Sequence, residues 1–177
     1  FREDQAQSSS RPLMLARVSK DRIGLFEYIR GGGLSDLPLA SISESLLTKG
    51  RAMLAAVLED VQKIEQFEVV APLDPRIDDS LLQNPSCRPL TLNQDWLNEW
   101  ISIARDCRFV LLIAPETDGV LRQCLDRLQQ ALNDDHVTIL ACDGEFLDGT
   151  SNKMIAYRYW RKAGISTPET RRATEID

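Results

Sequence analysis

The chain has 177 residues, of which 43% are hydrophobic and 27% charged, so it can bury a core and lacks the composition of a disordered chain. Its 21 Lys and Arg residues against 27 Asp and Glu residues give a net charge of −6 at pH 7. Non-specific binding to nucleic acids or anionic membranes needs a basic surface, so we expect neither partner.

The cysteines and the amino-terminal segment exclude further classes of protein. Four widely spaced cysteines without a Cys-x-x-Cys pair, and a single histidine, argue against zinc ribbons and redox motifs. We expect Cys107 and Cys124 to be core residues in a reducing cytoplasm. No apolar run reaches the length of a membrane span. Residues 1–12, "FREDQAQSSSRP", are predicted to be a disordered tail.

The first predicted elements are a strand and a long helix. "RIGLFEYI" (22–29) is a short β-rich run that ends at three glycines. Ser41 and Glu44 have the spacing of a capping box, and apolar residues then recur at helical spacing to about residue 64. Gly50 inside this helix predicts either a junction of two helical pieces or a close approach of another group to the backbone.

Three more strands and two more helices follow in alternation. Buried strands are predicted at 67–74, 109–115 and 137–142, with a polar, proline-containing segment after the first of them. Asn93 is predicted to cap a helix that buries Trp96, Leu97, Trp100, Ile101 and Ala104. Thr117 is predicted to cap a helix that buries Val120, Leu121, Cys124, Leu125, Leu128 and Leu132.

This alternation predicts an α/β fold: a Rossmann-like, mainly parallel sheet with helices on both faces. Ligands of such sheets bind at the carboxyl ends of the strands. Six acidic residues follow those ends and predict an acidic rim there: Glu27, Asp74, Glu116, Asp118, Asp143 and Glu145.

Three segments in this order resemble a known family: "LFEYIRGGG…SISESLLTKGRAMLAAVLEDV…FEVVAPLDPRI", "VLLIAPETDGVL" and "SNKMIAYRYWRKAGISTPET". Together they resemble the amino-terminal portion of ATP-grasp carboxylate–amine ligases, and most nearly the branch that includes tyramine–glutamate ligase. The resemblance begins at about Arg22 and covers nearly all of the chain after it.

The resemblance implies a domain organisation and a reaction. Residues 13–150 are expected to form the pre-ATP-grasp domain, and residues 151–177 the start of an ATP-grasp domain. ATP and Mg²⁺ are the implied cofactors of the intact enzyme, and a carboxylate and an amine its substrates, with glutamate and an aromatic amine suggested by the nearest branch. The chain is expected to be a truncated, inactive front end that holds no catalytic residue, metal ligand or tightly bound cofactor.

Seven residues are candidates for ligand contacts. Lys153 matches a family lysine that reaches a nucleotide phosphate, and a solvated surface lysine is the alternative. The candidates for substrate binding are Glu27, Gly31, Gly32, Gly33, Glu116 and Asp118. The glycine amides could hold an anion, although a flexible turn is the competing interpretation. The two acids after the third predicted strand could hold an amine or a metal, or simply favour a helix amino terminus.

Two alternatives remain at the level of the whole chain. A non-catalytic α/β module that binds a small ligand or a partner competes with the ligase hypothesis. The last predicted helix, with Ser151 as cap and Gly164 as stop, places Tyr159 and Trp160 on one apolar face. We expect this face to dock on the sheet domain, to swap into a homodimer, or to fray.

Overall fold

The computed structural model describes residues 20–77, 80–92, 94–133 and 136–171. The tail predicted for residues 1–12 lies outside these ranges, and so does Asn93, the predicted helix cap. Within the described part, no helix combines the length and the apolar character that crossing a membrane would require.

The described residues alternate between strands and helices. The strands are β1 (Asp21–Glu27), β2 (Phe67–Leu73), β3 (Cys87–Pro89), β4 (Phe109–Ile113) and β5 (Thr138–Leu140). The α-helices are α1 (Glu44–Gln62), α2 (Trp96–Arg105), α3 (Val120–Ala131), α4 (Gly144–Thr150) and α5 (Lys153–Lys162). Three short 3-10 turns lie at Leu39–Ser41, Ser80–Gln83 and Thr117–Gly119.

The five strands form one sheet in the order β3-β2-β1-β4-β5, and every neighbouring pair is parallel. Gly24 in the central strand pairs with Val70 on one side and Val110 on the other. The predicted parallel α/β sheet is therefore confirmed. Strand β3 was not predicted, because three residues that end in a proline are too few to show a periodicity.

Helices cover both faces of the sheet, as predicted. On one face, α1 packs Leu54 and Leu58 against Ile23 and Leu25 of β1. On the other face, α2 and α3 pack around the fully buried Phe26. The residues predicted to face inward from these two helices are buried, except Trp96, Val120 and Leu121, which are partly exposed.

The helix starts differ from the predictions at four caps, the first two of them in α1 and α2. Helix α1 is capped by Ser43, whose Oγ accepts from Leu46 N at 3.3 Å, while Ser41 closes the preceding 3-10 turn by donating to Pro38 O. Asp95 caps α2 by accepting from the amides of Leu97 and Asn98.

The remaining two predicted caps are also displaced. Helix α3 starts after Gly119, which makes no side-chain cap, so Thr117 does not cap it. Asn152, not Ser151, caps α5. At α1, α2 and α5 a polar residue one or two positions later in the sequence takes the amides of the first turn, and sequence patterns fix a helix start only to within one or two residues.

Helix α5 packs on α4 and ends at Gly164, which adopts the left-handed conformation predicted for a stop (φ 73°). Its buried residue is Ala156, whereas Tyr159 is 51% exposed and Trp160 48% exposed. The helix therefore docks on α4 without burying its aromatic face, and the alternative of a swap into a homodimer stays a prediction.

Candidate functional site

The loops at the carboxyl ends of β1, β2 and β3 enclose a cleft of about 620 Å³. Open parallel sheets bind ligands at this edge, because the strand-to-helix loops converge there. Residues from several elements line the cleft, among them Gly32, Asp36, Asp74, Arg76, Leu90, Trp96, Leu97 and Arg127.

An ion pair between Asp74 and Arg76 forms the back wall of the cleft. The Asp74 carboxylate is buried and accepts from Arg76 Nη2 at 2.6 Å and from Nε at 3.0 and 3.1 Å. The same guanidinium donates to the carbonyls of Leu34, Ser35 and Leu37 at 2.8–3.1 Å. The hydrogen bond to Asp74 raises the pKa of Arg76. Arg76 thus fixes the loop after β1 to the end of β2.

The three glycines after β1 form a tightly packed turn. A Cβ atom at Gly31 would lie 2.6 Å from Glu27 O and from the Trp100 ring, and one at Gly33 would lie 2.4 Å from the Tyr28 ring. The amides of Gly31 and Gly33 already donate to the carbonyls of Glu27 and Tyr28, so these two amides are engaged within the turn.

Gly32 forms part of the cleft floor. It has φ 94°, and a Cβ there would lie 2.8 Å from Leu90 Cδ1 and 2.9 Å from Trp96 Cβ. Leu90 and Leu97 are buried beside it, and the Trp96 ring lies edge to face against Trp100, with the centroids 4.8 Å apart. The floor is therefore apolar, and its depth depends on glycine at position 32.

Glu27 lies beneath the turn and is 1% exposed. Its Oε2 accepts from Arg30 N at 2.7 Å, whereas Oε1 has no hydrogen-bond partner in the described part of the chain. Burial raises the pKa of this carboxyl, against smaller lowering effects of the Arg30 and Ile29 amides and of the Arg30 charge. A buried carboxyl of this kind favours its protonated form.

The close approach of Glu27 to helix α1 explains why Gly50 lies within that helix. Helix α1 is continuous through Gly50, and a Cβ there would lie 3.0 Å from Glu27 Oε2 and from Ile29 Cβ. Of the two interpretations that the sequence allowed, the close approach of another group is confirmed.

The acidic residues at the strand ends do not form one rim. Asp74 belongs to the polar cleft and Glu27 lies under the turn, while Glu116 lines a separate cleft of about 230 Å³ next to α3 and α4. Asp143 caps α4 through Phe146 N, and it lines with Glu145 a groove between α4 and α5.

Two other predicted contacts lie apart from the polar cleft. Asp118 is exposed in the 3-10 turn after β4, with a left-handed φ of 56°. Lys153 is exposed in the first turn of α5, where its predicted nucleotide contact is untested. No group of three or more His, Cys, Asp or Glu side chains suited to a metal ion occurs among the described residues.

Four residues that were not predicted as site residues line the cleft: Asp36, Arg76, Trp96 and Arg127. Asp36 lies in a loop without periodicity, and Arg127 is on the polar face of α3. Trp96 was assigned to packing alone, yet it also lines the cleft. These residues line the cleft together with the segment that follows β3, a strand that the sequence did not predict.

One comparison with known proteins bears on this arrangement. Residues 67–145 match the family model of the pre ATP-grasp 3 domain. This pre-ATP-grasp segment runs from β2 into α4, slightly less than half of the chain, and it contains Asp74, Arg76, Trp96 and Arg127. The match supports a relationship to ATP-grasp proteins. No curated protein and no solved structure matches the chain.

Proposed function

We propose that this chain supplies the pre-ATP-grasp domain of an ATP-dependent carboxylate–amine ligase. The observation that carries the proposal is the family match over residues 67–145, on a parallel sheet whose carboxyl edge holds a cleft. In such a ligation, the γ-phosphoryl group of ATP passes to a carboxylate oxygen and ADP leaves. The amine nitrogen then attacks the acyl carbon, phosphate leaves, and the amine loses a proton.

The role of these residues in that reaction is to hold a substrate other than the nucleotide. The cleft is polar at its walls and apolar at its floor, as expected for recognition of a small organic molecule. Mg²⁺-ATP is the proposed cofactor. The tyramine–glutamate branch, with glutamate and an aromatic amine as substrates, is the finer proposal, and it rests on the resemblance of the sequence segments alone.

The reaction is tested with the protein encoded by the complete reading frame. We expect ADP release that requires Mg²⁺, a carboxylate and an amine together, with formation of an amide detected by mass spectrometry. ATP turnover that does not depend on the amine, or no turnover with a broad panel of acids and amines, would contradict the proposal.

Lys153 is proposed to contact a phosphate of the nucleotide. It lies in the first turn of α5, where the positive end of the helix dipole adds to the attraction of its charge for an anion. In the same assay, Lys153→Met is expected to raise the KM for ATP at least tenfold. Lys162→Met, at the other end of the same helix, is the matched control and should leave the KM for ATP within twofold.

A non-catalytic ligand-binding module is the second candidate, because residues of this chain alone enclose the cleft. Calorimetry separates the two functions. Tight binding of a small molecule by a protein that never turns over ATP would favour the binding module, whereas amine-dependent ADP release would favour the ligase.

A further inference from the structure

We propose that the polar cleft binds a zwitterion, with Asp36 facing its ammonium group and Arg127 facing its carboxylate. The proposal rests on the proposed function in that the zwitterion would be one of the two ligase substrates. It identifies that substrate as a molecule of the amino acid class, and it assigns the two residues that recognise it.

Some charged side chains of the cleft already bond to other groups of the protein, and two do not. Asp74 and Arg76 neutralise each other, and Asp95 accepts from the amides at the start of α2. Within the described ranges Asp36 and Arg127 form no side-chain hydrogen bond or ion pair, although Asp36 lies close enough to Arg76 for the two charges to interact. The donors of Arg76 already bond to Asp74 and to the carbonyls of the loop after β1, so the oxygens of Asp36 can still accept from a ligand. One anion and one cation thus remain available to a ligand within a single cleft.

The two available groups belong to different elements. Asp36 is in the loop after β1, and this loop is fixed because Arg76 holds the carbonyls of Leu34, Ser35 and Leu37. Arg127 is on α3, which is fixed by the buried Leu125 and Leu128 on its other face. Opposite charges on two anchored elements can orient a ligand that carries both charges, whereas a ligand with a single charge would leave one of them unpaired.

The floor of the cleft between Asp36 and Arg127 would contact the side chain of the ligand. Leu90, Leu97 and the Trp96 ring make the floor apolar, and Gly32 leaves room above it. The cleft therefore suits an α-amino acid with an apolar side chain better than glutamate or another highly charged metabolite, so this inference departs from the glutamate that the nearest branch suggests.

Three matched probes test the proposal by calorimetry on the full chain: L-leucine, 3-methylbutan-1-amine, which lacks the carboxylate, and 4-methylpentanoate, which lacks the ammonium group. We expect L-leucine to bind at least tenfold more tightly than either of the others. Equal affinities for the three probes, or no binding of L-leucine, would overturn the proposal.

Two variants assign the contacts separately. Asp36→Asn should weaken L-leucine binding at least tenfold and leave 4-methylpentanoate binding unchanged, and Arg127→Gln should weaken L-leucine binding but not that of the amine. The matched controls are Asp106→Asn, at the amino-terminal ends of the strands, and Arg161→Gln, on α5. Both variants should bind L-leucine as tightly as the unchanged protein does.

The outcomes separate this proposal from the ligase proposal. If both cleft variants bind L-leucine as the unchanged protein does while thermal melts show them folded, the zwitterion site is wrong. Amine-dependent ADP release would still support the ligase in that case. Conversely, selective L-leucine binding without ADP release would leave the site intact and refute the ligase.

Discussion

At the scale of single residues, Glu27 is a carboxyl group that the fold holds away from water. The unfolded chain should titrate this group near its ordinary pKa of 4.5, and the folded protein at a higher pH because of burial. Between these two pKa values the folded state binds more protons than the unfolded state. The stability contributed by Glu27 is therefore complete below about 4.5 and is lost as the pH rises through the folded pKa.

Glu27→Gln removes this titration and keeps the shape of the side chain. We expect the difference in melting temperature between the variant and the unchanged protein to shift in favour of the variant as the pH rises above 4.5. Glu65→Gln, an exposed carboxylate in the turn before β2, serves as the control and should show a much smaller trend. A pH-independent difference for Glu27→Gln would show that burial does not raise the pKa of Glu27.

Two helix glycines, Gly50 and Gly149, differ in how closely other atoms approach them. Alanine gains about 1 kcal/mol over glycine in a helix, but a Cβ at Gly50 would meet two buried atoms at 3.0 Å, and overpacking costs about 1–3 kcal/mol. Gly149 in α4 faces only the half-exposed Tyr159 ring, at 3.3 Å. In urea titrations, we expect Gly50→Ala to lower the free energy of unfolding and Gly149→Ala to raise it or leave it unchanged. The same gain in both variants would contradict the close packing around Gly50.

At the scale of elements, one side chain joins α2 to the turn after β1. Trp100 is fully buried, contacts Phe26 with the ring centroids 4.9 Å apart, and donates from Nε1 to Gly31 O at 2.8 Å. This bond satisfies a carbonyl in the glycine turn, and the turn forms part of the cleft. The absent Cβ of Gly31 lets the indole approach so closely.

Trp100→Phe removes the donor and leaves that carbonyl unsatisfied, a cost of about 1–3 kcal/mol in addition to the cavity left by the smaller ring. Chemical denaturation should show this loss. Trp160→Phe, in the half-exposed aromatic face of α5, should change the free energy of unfolding by less than about 0.5 kcal/mol. Equal losses for the two variants would contradict the difference in burial.

At the scale of the whole molecule, the packed sheet should protect three of the four thiols. Cys87, Cys107 and Cys124 are buried, and burial raises the pKa of Cys107 and of Cys124 to about 11, while Cys142 is exposed. At pH 8, about one in a thousand of the Cys107 and Cys124 thiols would be thiolate, which is the reactive form.

Thiol labelling followed by mass spectrometry checks this protection. We expect Cys142 to react rapidly with iodoacetamide, and the three buried cysteines to react only as fast as the protein unfolds, with all four labelled in denaturant. Rapid labelling of Cys107 or Cys124 in the native protein would show that the helices on that face of the sheet open readily.

Part of the site was predictable from the positions of acidic residues in the sequence. The carboxyl edge of the sheet was correctly expected to hold acidic residues, because Glu27 and Asp74 follow apolar strand patterns. The sequence could not show that these two carboxyls are buried. Gly50 approaches Glu27 from a distant helix, and Arg76 beside Asp74 bonds to the distant loop after β1.

The sequence by itself determined the α/β alternation, the parallel sheet, the inward faces of the helices and the stop at Gly164. These features depend on periodicity and local backbone preference, which neighbouring residues encode. Only the tertiary structure decided which polar residue caps each helix, where β3 pairs, and that Asp36 and Arg127 line one cleft. These features depend on contacts between residues that are distant in the sequence. A local sequence pattern does not contain the energies of such contacts.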